Sequence, residues 1–193
     1  MSLPPDLPFL FRPRDLERFG LTRDTLRGML RRGEVEPVAR GVYRVSGAPL
    51  TAHETLAAVC LRVPQAVVCL LSALSFHAIG TQIPPEVWIY IDRKARVPKL
   101  SGLPVRVVPV PPRMTTFDVE DQEVDGVCVR VTSPSRTVAD CFRFRRLVGL
   151  DVALEALKDV LRSRRVTIDE IVHASRIVGV ESEIQPYLEA VLA

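Results

Sequence analysis

No apolar run in this sequence is long enough to cross a bilayer: the longest, Ala66–Leu71, spans six residues, where about 20 are needed. The opening MSLPPDLPFLF has neither a basic n-region nor an A-x-A site, so no secretory signal is expected. Cysteine is scarce, and Cys60, Cys69, Cys128 and Cys141 include no C-x-x-C pair. Each sits among apolar neighbours, which predicts buried thiols in a reducing cytoplasm. The three histidines, His53, His77 and His173, are too scattered for metal-ligand spacing. There is no P-loop, no G-x-G-x-x-G, and no Gly-Ser element with paired aspartates of the nucleotidyltransferase kind. Internal repeats and low-complexity segments are absent too. A disulfide scaffold is therefore not expected, and neither is a cofactor, a metal or a membrane.

What is present is an ordinary globular composition of 193 residues, 47% hydrophobic and 25% charged. The net charge is only +3, but all of it lies at one end. Residues 1–44 carry nine arginines against six acids, while the remaining chain is balanced at seventeen of each sign. Of 26 basic residues, 23 are arginine, whose planar fork suits phosphate and guanine edges.

The basic end has a readable order. Pro13 opens a short helix, Arg14 to Phe19, with Leu16 and Phe19 inward, and Gly20 supplies a left-handed stop. Thr22 is a natural N-cap for a second helix ending at Gly33, and Leu21 with Leu26 forms a hydrophobic staple. Leu26, Met29 and Leu30 line one side of that helix. Arg23, Arg27 and Arg31 recur every four residues on another, beside Gly28, which would let the backbone come close to a ligand. Val35–Ala39 and Val42–Val45 read as strands joined at Arg40-Gly41. Two helices joined by a Gly turn, then an Arg-tipped hairpin, predict a winged helix-turn-helix that binds double-stranded DNA. The alternative is an amphipathic helix pair with solvated arginines.

Ser46-Gly47-Ala48-Pro49 marks a boundary, so the expected division is 1–47 for the winged helix and 48–193 for the body. In the body, Thr51–Glu54 and Thr167–Glu170 read as capping boxes, and Ser72 as the cap of a helix ending at Gly80. EVWIYI and PVRVVPV are strands, the second peripheral because of its prolines. Asp125-Gly126 closes a tight hairpin, Ser133-Pro134 starts a helix, and the chain from Asp151 onward is helical. The fold class is α+β, with a small sheet of about four strands and helices before and after it.

Candidate chemistry is thin. Asp92-Arg93-Lys94 at a strand end has the acid-x-Lys form of metal-dependent nucleases, but the only acid nearby to complete a Mg²⁺ site is Glu86, on the same strand. His77 reads as a hydrogen-bonded core histidine. Arg136 and Asp140, four apart, suit a pair across one helical turn. The clusters Arg143, Arg145, Arg146 and Arg162, Arg164, Arg165 could extend a DNA footprint, but solvated helix ends account for them. No catalytic residue is assigned.

FRPRDLERFGLTRDTLRGMLRRGEVEPVARGVYRV, followed by SALSFHAIG, PPEVWI, VTSPSRTVADCF and GLDVALEAL, resembles the AbiEi-type antitoxins and transcriptional regulators of type IV toxin–antitoxin systems. The resemblance runs over about residues 11–160. It implies a bacterial cytoplasmic repressor, not an enzyme, that binds inverted repeats in its own promoter, with homo-oligomers on DNA possible. It also implies a body that counteracts a nucleotidyltransferase toxin without forming a stable complex with it. Carried over, the DNA contacts fall on Thr22, Arg23, Arg27 and Arg31 of the recognition helix and on Arg40 and Arg44 of the wing. Arg12 and Arg14 would add phosphate contacts. One departure stands out: relatives carry a full helix before the Phe11-Arg12-Pro13 position, where this chain has MSLPPDLPFL. Either Leu7, Phe9 and Leu10 pack as an extended strand, or a partner or the body covers the gap. The rival readings are a protein-interaction module with a vestigial winged helix, and a nuclease using Asp92 and Lys94.

Overall fold

The computed structural model describes residues 3–49, 51–96 and 100–192. Strand β1 (Leu10–Phe11) is followed by a 3-10 helix at Pro13–Phe19, then α1 (Arg23–Arg32), β2 (Val35–Ala39) and β3 (Val42–Val45). The three strands form an antiparallel sheet in the order β1-β3-β2. The helix expected before Gly20 is thus a tighter 3-10 turn, fastened by Asp15, whose carboxylate accepts from the Arg12 backbone and side chain. Gly20 and Gly33 take left-handed conformations, φ 67 and 68, and end the two helical segments.

Thr22 caps α1: its hydroxyl accepts from the Thr25 N–H at 3.1 Å, and the Thr25 hydroxyl reaches back to the Thr22 N–H. Leu21 and Leu26, the staple pair, are both buried. Thr22→Ala is expected to cost about 1 kcal/mol, measured as a lower urea midpoint with an unchanged slope.

Leu7, Phe11, Leu16, Leu21, Leu26, Met29 and Val35 form one small core. Leu10 and Val42 point the other way, into the core of the body. The proline-rich start therefore supplies a strand, but a two-residue one, Leu10–Phe11, that includes only Leu10 of the three residues expected in it. The body also covers that strand, through α2 (Glu54–Arg62), which packs on β1 and β3. Phe9, expected to pack with Leu7 and Leu10, is instead 48% exposed: it stands at a bend just before β1 and does not follow Leu7 and Phe11 into their core.

The body continues with β4 (Val67–Val68), α3 (Leu70–Phe76), β5 (Val87–Asp92), β6 (Val105–Val110), β7 (Val119–Val124) and β8 (Val127–Thr132). Helices α4 (Pro134–Arg143), α5 (Arg145–Val148), α6 (Leu150–Arg162), α7 (Ile168–Val178) and α8 (Glu181–Leu192) follow. The sheet has five strands, not four, in the order β6-β5-β4-β8-β7. It is mixed, with β5–β6 and β4–β8 parallel. The extra strand, β4, is two residues long and central, too short to show alternation. The proline-bearing β6 lies at the edge, as its Pro109 requires. Asp125 and Gly126, φ 53 and 75, make the β7–β8 turn.

Each face of this sheet is buried. Trp88 and Tyr90 join the core built with α3, α4, α6, α7 and α8, whereas Val87, Ile89 and Ile91 join the one built with α2. Burial on both faces explains the unbroken apolar run of β5.

Three local expectations fail. Thr51 does not cap α2: His53 stands at the N-cap without a side-chain bond, and the Thr51 hydroxyl donates to Asp125 at 2.6 Å. The Glu54 carboxylate of that supposed box is taken by Arg44. Ser72 lies inside α3 rather than before it, buried, accepting from the Trp88 N–H at 2.9 Å and so tying helix to strand. Cys128 is exposed while the other three thiols are buried, because it points away from the core on β8. The Thr167–Glu170 capping box forms as expected.

Candidate nucleic-acid interface

Helix α1 is two-sided. Leu26 and Met29 are buried, and Arg23, Arg27 and Arg31 are exposed on the outer surface. Arg27 touches Asp24 at 2.8 Å, but both side chains are open to water, 76% and 86% exposed, so the pair holds the guanidinium only weakly. Arg23 and Arg31 make no ion pair or hydrogen bond through their side chains among the described residues. Gly28 does not offer the open backbone expected of it. It is buried beneath Arg32, whose guanidinium lies 3.0 Å from where a Cβ would stand. Arg32 in turn is paired with Glu34 at 2.7 Å.

The β2–β3 turn presents Arg40, exposed, beside Gly41 at φ 75. A left-handed residue at this point is what the tight hairpin needs. Arg14, on the 3-10 turn, is likewise exposed.

Two of the expected contact residues are occupied within the protein. Arg44 binds Glu36, its cross-strand partner, and reaches Glu54 at the start of α2 at 2.7 Å. Arg12 holds Asp15 through two bonds of 2.7 and 2.8 Å and donates to the Leu61 carbonyl at 2.6 Å. Burial pulls the Asp15 carboxyl upward, but the Arg12 hydrogen bonds and charge outweigh it and hold it below the usual value. Arg12 and Arg44 thus grip the two ends of α2. The sequence could not show this, because the partners lie 10 and 49 residues away.

Elsewhere, Arg136 and Asp140 pair at 3.1 Å, both with no side-chain exposure. Arg136 also donates to the Met114 carbonyl at 2.7 Å and to Phe117, and lies over the Phe117 ring at 5.2 Å. Burial pushes the Asp140 carboxyl up to about 6, against the pull of Arg136, Tyr90 and Arg143. His77 Nε2 meets the Thr132 carbonyl at 2.8 Å, as a structural histidine should. Of the basic clusters, Arg143, Arg145 and Arg165 donate to backbone carbonyls of Val178, Phe142 and His77.

The acid-x-Lys segment is not assembled as a metal centre. Glu86 and Asp92 stand at opposite ends of β5, about 20 Å apart along an extended chain, and Glu86 pairs with Arg106 at 3.3 Å. Asp92 Oδ1 accepts from the Lys94 N–H at 2.9 Å, a local turn. Among the described residues no group of three or more His, Cys, Asp or Glu could hold a metal ion. Nor is any helix there long and apolar enough to cross a membrane.

No curated protein matches the chain. A similar solved structure is that of the RV2827C protein from Mycobacterium tuberculosis, with a TM-score of 0.59 at 14% identity, covering 95% of this chain and 77% of that one. At that identity the likeness concerns the mixed α+β fold alone. Residues 6–46, the segment that holds the exposed arginines of α1 and the hairpin, match the family model described as transcriptional regulator, AbiEi antitoxin.

Proposed function

We propose that this protein is a DNA-binding transcriptional regulator whose residues 1–47 act as a winged helix-turn-helix and whose residues 48–193 form the effector body. In this reading α1 enters the major groove with Arg23, Arg27 and Arg31, the Thr22 end leading, and Arg40 at the hairpin tip reaches the adjacent backbone. Arg14 adds a phosphate contact. Arg12 and Arg44 hold the module to α2 and serve the interface by position.

The observation that carries the reading is the pairing of faces on α1: one side buried in a core of its own, the other bearing exposed arginines, followed at once by an arginine-tipped hairpin. The match of residues 6–46 to a transcriptional-regulator family supports it. From the same family follow the finer proposals: autorepression at inverted repeats in its own promoter, as a homo-oligomer on DNA, and neutralisation of a nucleotidyltransferase toxin without a stable complex.

Titrating the full chain into a labelled duplex from its own promoter tests this. Affinity is expected to fall steeply as salt rises from about 50 to about 200 mM, with a log–log slope of about −0.9 per phosphate neutralised. A promoter duplex bound no better than an unrelated one at every salt concentration would sink the proposal. For the toxin, the test is co-expression with a nucleotidyltransferase encoded beside this gene: growth should be restored without co-purification, and the lack of such a neighbour, or of any rescue, would remove the antitoxin proposal.

A further inference from the structure

We infer that the DNA-binding surface does not end at the hairpin: Arg93, Lys94 and Arg96, which open the crossover from β5 to β6, carry it onto the body and grip the duplex backbone beyond the site read by α1. This rests on the reading of α1 and the hairpin given above.

Two independent observations bring the connection that carries these residues to the side of the sheet where the hairpin sits. Strands β5 and β6 are parallel neighbours, so the chain between them must cross one face of the sheet. Its described residues lie on the face that carries α2 and the N-terminal sheet: Ala95, Leu100 and Leu103 pack on the same core as Leu10, Val42 and the α2 residues. Further along the crossover, a Cβ at Gly102 would stand 4.0 Å from the side chain of Ala39, the last residue of β2. The second runs through α2. Because β4 and β5 are antiparallel, with Val67 opposite Tyr90, the end of β5 lies beside the turn that leaves α2. At that end of α2 the Arg62 guanidinium comes within 3.1 Å of the Cβ position of Gly41, at the hairpin tip.

The charge is of one sign. Arg93, Lys94 and Arg96 are exposed, and among the described residues their side chains make no ion pair or hydrogen bond. The neighbouring acid, Asp92, has one oxygen engaged by the Lys94 N–H, which shapes the turn. Exposed, unneutralised cations continuing a basic surface suit the regularly charged phosphate backbone, which asks for charge and position rather than shape. The same residues that spell an acid-x-Lys motif thereby find a use that needs no metal.

The test compares the wild-type chain with the triple variant Arg93→Ala, Lys94→Ala, Arg96→Ala on two duplexes centred on the same site, about 12 and about 30 base pairs long. Exposed substitutions of this kind leave folding nearly unchanged. The wild type is expected to show a steeper salt slope on the longer duplex. The triple variant is expected to lose that difference, its slope falling by about two to three as two or three phosphate contacts disappear. On the short duplex the two proteins should bind alike. Equal slopes for both proteins on the long duplex, with Arg27→Ala still weakening binding, would overturn the extension and leave the α1 reading intact. Failure of the wild type to bind either duplex would overturn both.

Discussion

Arg136→Met, with Asp140 left in place, is expected to lower the unfolding free energy by about 3–5 kcal/mol. The size follows from what the substitution leaves behind. Arg136 and Asp140 are both fully buried, one turn apart on α4. The guanidinium also closes off the carbonyls of Met114 and Phe117, in the chain between β6 and β7. Removing it strands a carboxylate and two acceptors in a dry core. In a chain of this size the loss should read as a fall in melting temperature of roughly 6–20 °C. Replacing both partners by apolar residues, Arg136→Met with Asp140→Leu, should recover much of it, because no uncompensated charge remains. If the single and double variants were equally unstable, the cost would come from packing and not from the stranded charge.

The same pair carries a pH signature with a defined sign. Burial raises the Asp140 carboxyl to about 6 in the folded protein, above its value of about 4 in the unfolded chain. Between these values the folded state holds a proton that the unfolded state has released. The contribution of Asp140 to stability is therefore complete below about pH 4 and is lost as pH rises through about 6. Urea unfolding across that window should show Asp140→Asn with a flatter dependence than the wild type. An identical dependence would mean that the carboxyl titrates normally.

The second large effect is expected at the interface. Arg27→Ala with Arg31→Ala should weaken binding to the promoter duplex on the order of 100-fold at low salt. It should also reduce the salt slope by about two, if both side chains neutralise phosphates. Stability should barely move, since both arginines are exposed and the Arg27–Asp24 pair is open to water. The combination of lost affinity with unchanged urea midpoint separates a contact surface from a folding defect. Unchanged affinity and slope in a stable variant would remove α1 from the interface.

Much of the N-terminal segment was legible from local signals. Thr22, Gly20, Gly33, the Leu21–Leu26 staple and Arg40-Gly41 act within a few residues of themselves, so spacing alone located the ends of α1 and the hairpin. The same logic found the Asp125-Gly126 turn and the Thr167–Glu170 box. Where local signals competed with distant partners, the reading failed. Thr51 and Ser72 look like caps, but Asp125 and the Trp88 backbone claim their hydroxyls. Gly28 looks open, but a side chain from the next turn covers it.

For the basic end, local sequence sets which residues carry the charge, how α1 is capped, and that one of its faces is apolar. Tertiary structure decided which arginines remain available. Arg12 and Arg44 turn inward because α2 brings Leu61 and Glu54 against them, and a charge-assisted bond in a partly buried site outcompetes water. The proposed extension through Arg93, Lys94 and Arg96 exists only because a parallel strand pair sends its connection to the sheet face where the N-terminal strands sit. Proximity across 50 residues has no period or spacing to announce it. It arises when buried surfaces meet.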